Sequence, residues 1–193
     1  DCSKLNRKTI LSWIAANSKE YGAGITGSAA ELLIDYCACD MSRISAELNK
    51  LCSYRVGGVI SEEDVVQLTA PDVDFKIFAL SEAVAGRNAG KAAAVLKNLT
   101  ESGASPVMLL GMLYAHFRRL LYVAITPYYE RMPSDLGVKE YAVKKAKEQA
   151  ARFTPLKLKK ICDILQSADY GIKSGKMTDK TALELTVLRA LGM

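Results

Sequence analysis

The sequence predicts an all-α fold built in two parts, on three observations. Apolar residues recur at three- and four-residue steps through most of the chain, which lines one face of a helix. Residues that cap helices stand just ahead of these series, from Asn6 to Thr178. No run alternates with period two, so no strand is expected, and the periodic segments add up to about ten helices.

The first helix is expected from an Asn6 cap to about Tyr21, with Ile10, Leu11, Trp13 and Ile14 as its apolar content. The glycines of YGAGITG break it. Thr26 or Ser28 opens a second helix with Leu32, Leu33 and Tyr36 inward. The third lies in DMSRISAELNKLCSY, residues 40–54. There Asp40 caps, Met41, Ile44, Leu48 and Leu51 share a face, and Arg43, Glu47 and Lys50 fall away from it. Gly57-Gly58 ends that unit, and Ser61 with Asp64 forms a capping box for a short helix through Val65, Val66 and Leu68. Ala70-Pro71-Asp72 is the expected linker, because Pro71 disfavours continuing the helix before it. The expected parts are therefore residues 1–71 and 72–193.

In the second part Asp74 is expected to cap a helix of Phe75, Ile77, Phe78, Leu80 and Val84 that ends near Gly86. Asn88 opens the next, with Ala92, Val95, Leu96 and Leu99 inward and Gly103 as its end. Ser105-Pro106 puts a cap residue before a proline at the first helical position. That helix runs through Met108, Leu109, Met112, Leu113, Phe117, Leu120, Leu121 and Val123 to about Ile125. It is apolar on most sides and is read as the central helix, with Pro127 ending or kinking it. Residues 128–138 read as irregular and 139–152 as helical. Thr154-Pro155 repeats the cap-plus-proline signal for a helix to about Lys173, and GIKSGK, residues 171–176, reads as a turn. Thr178 or Asp179 starts a last helix with Leu183, Leu185, Leu188 and Leu191 inward.

Half of the 193 residues are hydrophobic, enough for a core and against disorder. The longest apolar runs, such as 107–113, are interrupted well short of membrane-spanning length, and DCSKLNRK holds no signal-peptide core, so a cytoplasmic protein with no membrane partner is expected. The chain opens on Asp1 and is read as a piece of a longer protein. Five cysteines (Cys2, Cys37, Cys39, Cys52, Cys162) are odd in number and irregular in spacing, unlike a disulfide framework. Cys37 and Cys39 make a C-x-C without a second ligand pair, so buried thiols are expected rather than a metal site. The only histidine, His116, is read as a core or interface residue.

The net charge of +5 is uneven. Residues 1–70 hold seven basic and nine acidic residues, whereas 71–193 hold nineteen and twelve. Only the second part suits an anionic partner. Nine basic and three acidic residues fall between Arg131 and Lys160, with Lys144, Lys145, Lys147 and Arg152 on one helix and Lys157, Lys159 and Lys160 on the next. A solvated helix face and a phosphate-contacting face both fit that pattern, and no aromatic platform for stacking bases accompanies it. Arg118-Arg119 beside the apolar helix suits an ion pair at an interface as well as it suits a phosphate. Large apolar residues such as Phe75, Phe78, Met112 and Phe117 fit either the internal core or a subunit interface. Gly90-Lys91-Ala92 and Gly175-Lys176-Met177 lack the hydroxyl of a nucleotide loop. No zinc-protease or serine-hydrolase motif is present, so no catalytic residue, metal or cofactor is expected.

Several stretches fall in register with a known family: LSWIAANSKEYGAGI (11–25), AAELLIDYCACDMSRISAELNKLCSY (29–54), ISEEDVVQLT (60–69), the long run 75–121 ending FRRLL, and ADYGIKSGK with ALELTVL near the end. Their order and spacing resemble the delta subunit of the bacterial DNA polymerase III clamp loader. The resemblance implies an AAA+-type helical lid followed by a helical collar, with residues 1–5 the tail of a connection from an upstream ATPase-like domain. It also implies a non-hydrolysing subunit of the polymerase holoenzyme. Its partners would be the ATPase and delta-prime subunits, a sliding clamp bound through the upstream domain, and DNA within the assembled loader.

Active lids of this architecture carry a phosphate-sensing arginine in the pattern glycine, variable residue, apolar residue, arginine. Set on Cys39-Asp40-Met41, the arginine position is Ser42, and Arg43 is turned about 100° around the helix axis. The resemblance thus implies a degenerate sensor at Ser42. DNA-contact candidates are Lys144, Lys145, Lys147, Lys173 and Lys176, and subunit-interface candidates are Phe117, Arg118 and Arg119. The rival reading is a stand-alone helical nucleic-acid-binding protein using residues 131–160. A helical enzyme using Cys37 or Cys39 is a second rival.

Overall fold

A computed structural model describes residues 6–126 and 140–193, except the side chains of 140–142 and 144. The chain divides into two compact units, residues 1–75 and 76–193. Ten helices stand among the described residues. The expectations for Cys2, Pro127, residues 128–138 and Lys139 lie outside the described residues.

The first unit contains α1 (Arg7–Glu20), β1 (Gly24–Ile25), α2 (Gly27–Tyr36), α3 (Met41–Tyr54), β2 (Val59–Ile60) and α4 (Glu62–Leu68). Its helix starts follow from local chemistry. Asn6 accepts from the Thr9 N–H, Thr26 from that of Ala29 and Asp40 from that of Arg43, so each satisfies a donor that the first turn leaves free. Ser61 and Asp64 cap each other reciprocally at α4. Ile10, Ile14, Leu33, Ile34, Ile44, Leu48, Leu51, Ile60 and Val65 pack into one core, with Met41 partly buried against it. The expectation of no strand needs correction. β1 and β2 pair in parallel, Gly24 with Val59 and Ile25 with Ile60. Two residues per strand are too few to show an alternation, and the pairing joins segments 35 residues apart. Asp64, 2 % exposed, receives the Arg55 guanidinium at 2.8–3.0 Å. That pairing, with the Ser61 N–H, holds its carboxyl down at about 2.

The helix α5 (Val73–Ala85) starts within the first unit, and its remainder belongs to the second. Asp72, not Asp74, caps it: Oδ1 of Asp72 accepts the Asp74 N–H at 2.9 Å. The second unit continues with α6 (Ala89–Glu101), α7 (Pro106–Ile125), α8 (Glu140–Ala150), α9 (Pro155–Lys173) and α10 (Asp179–Leu191). Asn88, Thr154 and Thr178 cap with their side chains. Ser105 holds the cap position of α7 without a side-chain bond, so Pro106 carries that start alone. Helix α7 packs against α8, α9 and α10, burying Leu109, Leu110, Leu113, Phe117, Leu120 and Val123. It is long and apolar enough to cross a membrane by length and composition alone, a description that also fits a helix packed in a core.

Two further expectations change. Leu188 is 62 % exposed, because the inward face of α10 follows Ala182, Leu183, Thr186, Val187 and Ala190 instead. Residues 171–173 belong to the last turn of α9, and Gly171 is buried against Met177. Only the segment after Lys173 turns, with Gly175 at φ +71 and the Gly171 carbonyl accepting from Lys176 and Met177.

Candidate functional site

The start of α3 is where the sequence places a degenerate sensor. The turn before it, from Cys37, is unusual: Ala38 has φ 51 and Cys39 φ 59, both left-handed without being glycine. The Cys39 N–H reaches Ile34 O at 3.1 Å and that of Asp40 reaches Cys37 O at 2.9 Å, closing the end of α2. In the reading that sets the sensor pattern on Cys39-Asp40-Met41, Cys39 falls at the glycine, a residue that adopts a left-handed backbone without strain. Ser42 is exposed in the first turn.

Arg43 departs from the apolar face as expected, but it does not end in solvent. Its guanidinium pairs with the Asp72 carboxylate and donates to Ala70 O at 3.3 Å. Asp72 in turn donates its N–H to Tyr36 O at 2.8 Å. The Phe75 ring meets Tyr36 edge-on at 4.7 Å. Residues 70–75 are therefore fastened to α2 and α3 by one arginine, one carboxylate and one aromatic pair.

In the second unit a polar cluster surrounds His116. Gln149, 1 % exposed, directs its Nε2 to Phe78 O and Glu82 Oε1, both at 3.1 Å. Its Oε1 must then accept, so the His116 Nε2 at 2.8 Å carries the proton. Burial, then the nearby Arg119 charge, push the imidazole down to about 4 despite the Gln149 bond. The ring is a neutral donor in an aromatic setting of Phe78 and Phe117.

The remaining candidates separate. Phe117 is 3 % exposed and packs edge-on against His116 and Phe153, which favours the core over the interface, the two places left open for it. Its position on α7 repeats Leu109, Leu113 and Leu120. Arg118 is exposed and Arg119 partly buried. Lys145 and Lys147 lie on α8, with the Lys145 Nζ 5.5 Å from the Phe78 ring, while the Lys144 side chain lies outside the described residues. Lys173 pairs with Asp169 at 2.6 Å, and Lys176 stands over the Tyr170 ring at 5.5 Å. The structure thus spreads the lysine candidates over two helices and the turn after α9. Cys37, Cys52 and Cys162 are buried and reduced, with burial raising each thiol, Cys37 to about 11. A protonated buried thiol is a poor nucleophile. Among the described residues no group of metal-ligating side chains forms. Sequence reasoning missed Asp72 and Gln149, whose partners lie 29 and 33 residues away; only the capping signal of Asp64 was local.

A family model for the C-terminal domain of the DNA polymerase III delta subunit matches residues 74–190. The chain belongs to the DNA polymerase III delta subunit family. Within that family, the delta subunit of DNA polymerase III from Bacillus subtilis strain 168 is 28% identical over 197 residues, spanning 99% of this chain and 56% of that protein. The solved structure of the Bacillus subtilis DNA clamp loader delta protein superposes with a TM-score of 0.83 at 25% identity, over 98% of this chain and 57% of that one. The chain therefore spans just over half the length of these relatives. Membership of the delta family leaves the stand-alone nucleic-acid-binding reading without support.

Proposed function

We propose that this chain forms the lid and collar of a clamp-loader delta subunit, and that it serves assembly and coupling, not nucleotide hydrolysis. The observation that carries the proposal is the similarity to a solved clamp loader delta protein over 98% of the chain, at a TM-score of 0.83. Residues 1–71 take the lid role and 72–193 the collar role. The start of α3 supports the non-hydrolysing part: Ser42 stands where a sensing arginine belongs, and Arg43 is held by Asp72. The partners are the ATPase and delta-prime subunits, with the clamp engaged by the upstream domain of the full-length protein. DNA contact falls to lysines of α8 and the end of α9. A role in replication implies a cytoplasmic site of action.

The test is reconstitution of the full-length subunit with its loader partners. Co-elution as one complex and ATP turnover that requires the partner subunits are expected. A folded subunit that never joins the complex, or that turns over ATP alone, overturns the proposal.

A further inference from the structure

The first unit leaves one strand edge bare. Gly24 donates to Gly58 O at 2.8 Å and Thr26 to Ile60 O at 3.1 Å, so β1 bonds the residues on either side of Val59. A parallel ladder then turns the N–H and C=O of Val59 away from β1, and among the described residues neither meets a partner. Val59 is itself 60 % exposed. Apolar side chains flank this edge. Tyr54 and Val56, just ahead of it, are 57 % and 78 % exposed. The Gly57 N–H bonds Gly22 O at 2.9 Å, which brings the exposed Tyr21 to the same end of the unit. An unpaired strand edge beside exposed apolar side chains is a template for an added strand.

The charges beside the edge restrict what can add to it. Glu62 and Glu63, in the first turn of α4, follow β2 directly and are exposed. Among the described residues neither forms an ion pair, because Arg55, the nearest arginine in the chain, is committed to Asp64. A nucleic acid would meet two carboxylates here, and a helix would leave the backbone of Val59 unbonded. A second copy paired edge to edge would bring its own Glu62 and Glu63 and an arginine already committed. We infer that the outer edge of β2 receives an extended segment of a partner protein. Its β-branched or aromatic residues cover Tyr54, Val56 and Val59, and its basic residue meets Glu62 and Glu63. This surface lies at the opposite end of α3 from Ser42, and the inference does not depend on the proposed clamp-loader role.

The test titrates the full-length subunit into a labelled synthetic peptide that alternates valine and threonine between lysine pairs, read by fluorescence anisotropy. Saturable binding is expected, with amide exchange at Val59 slowed by the peptide. Val59→Pro removes the outward N–H and spares the bonds to β1, so it should weaken binding about tenfold. Glu62→Lys combined with Glu63→Lys should weaken it about tenfold as well, while Lys97→Glu on exposed α6 leaves it unchanged. Circular dichroism and a Tm verify that each variant folds. Methylating alternate backbone nitrogens of the peptide, in one of the two registers, should abolish binding with the protein unaltered. No saturable binding by the folded wild-type subunit overturns the inference. So does binding that the methylated peptides and the folded variants all retain. Exchange at Val59 that is already slow in the subunit alone shows the edge covered by the same chain, or by a second copy if the slowing needs high concentration, and overturns it too. A single-stranded oligonucleotide that displaces the peptide has the same force.

Discussion

His116 is the sequence's single imidazole, and its surroundings make a pH prediction with a definite sign. Its pKa falls from 6.5 to about 4 in the folded chain, mainly through burial. The unfolded chain binds a proton that the folded chain refuses between those values. The contribution to stability is complete above about pH 6.5 and is lost as pH falls toward 4. NMR titration of the lone imidazole should show it neutral at pH 5.5. A midpoint near 6.5 in the native protein would contradict this. His116→Asn should flatten that part of the stability profile, measured as Tm against pH. The same residue shows what sequence can reveal. The expectation of a core or interface histidine agrees with its place, but the amide that fixes its tautomer lies 33 residues on, in a lysine-rich helix with no local sign of burial.

Helix starts show the opposite case, because caps act within one turn. Asn6, Asp40, Ser61, Asn88, Thr154 and Thr178 are all legible, each followed by the N–H that it satisfies. Two starts with the same Ser/Thr-Pro signature nevertheless differ. Thr154 accepts from Lys157 N–H, whereas Ser105 makes no such bond. Thr154→Ala should cost about 1 kcal/mol, and Ser105→Ala should cost close to nothing, as read by urea denaturation. Equal losses would show that the side chain of Ser105 caps after all. Elements that rest on distant partners are not legible. The strands β1 and β2 are defined only by each other, and α10 has several leucines of which Leu188 points outward, so composition alone could not choose its face.

At the scale of the whole molecule, the irregular stretch at residues 70–72 is legible, whereas its fastening and the division between the units, which falls after Phe75 within α5, are not. Pro71 stops α4 from continuing, and that much is local. What holds residues 70–75 is a set of contacts with α2 and α3 that no local pattern announces. Arg43→Ala should therefore raise the rate of limited proteolysis within residues 69–72 severalfold, with helix content unchanged. Unaltered cleavage would mean that Pro71 and the Tyr36–Phe75 contact suffice. The pairing has a further consequence under the proposed lid role. An arginine whose counter-ion belongs to the same unit meets that charge without any bound partner, so the first turn of α3 would serve as a fixed reference mark and not as a gauge.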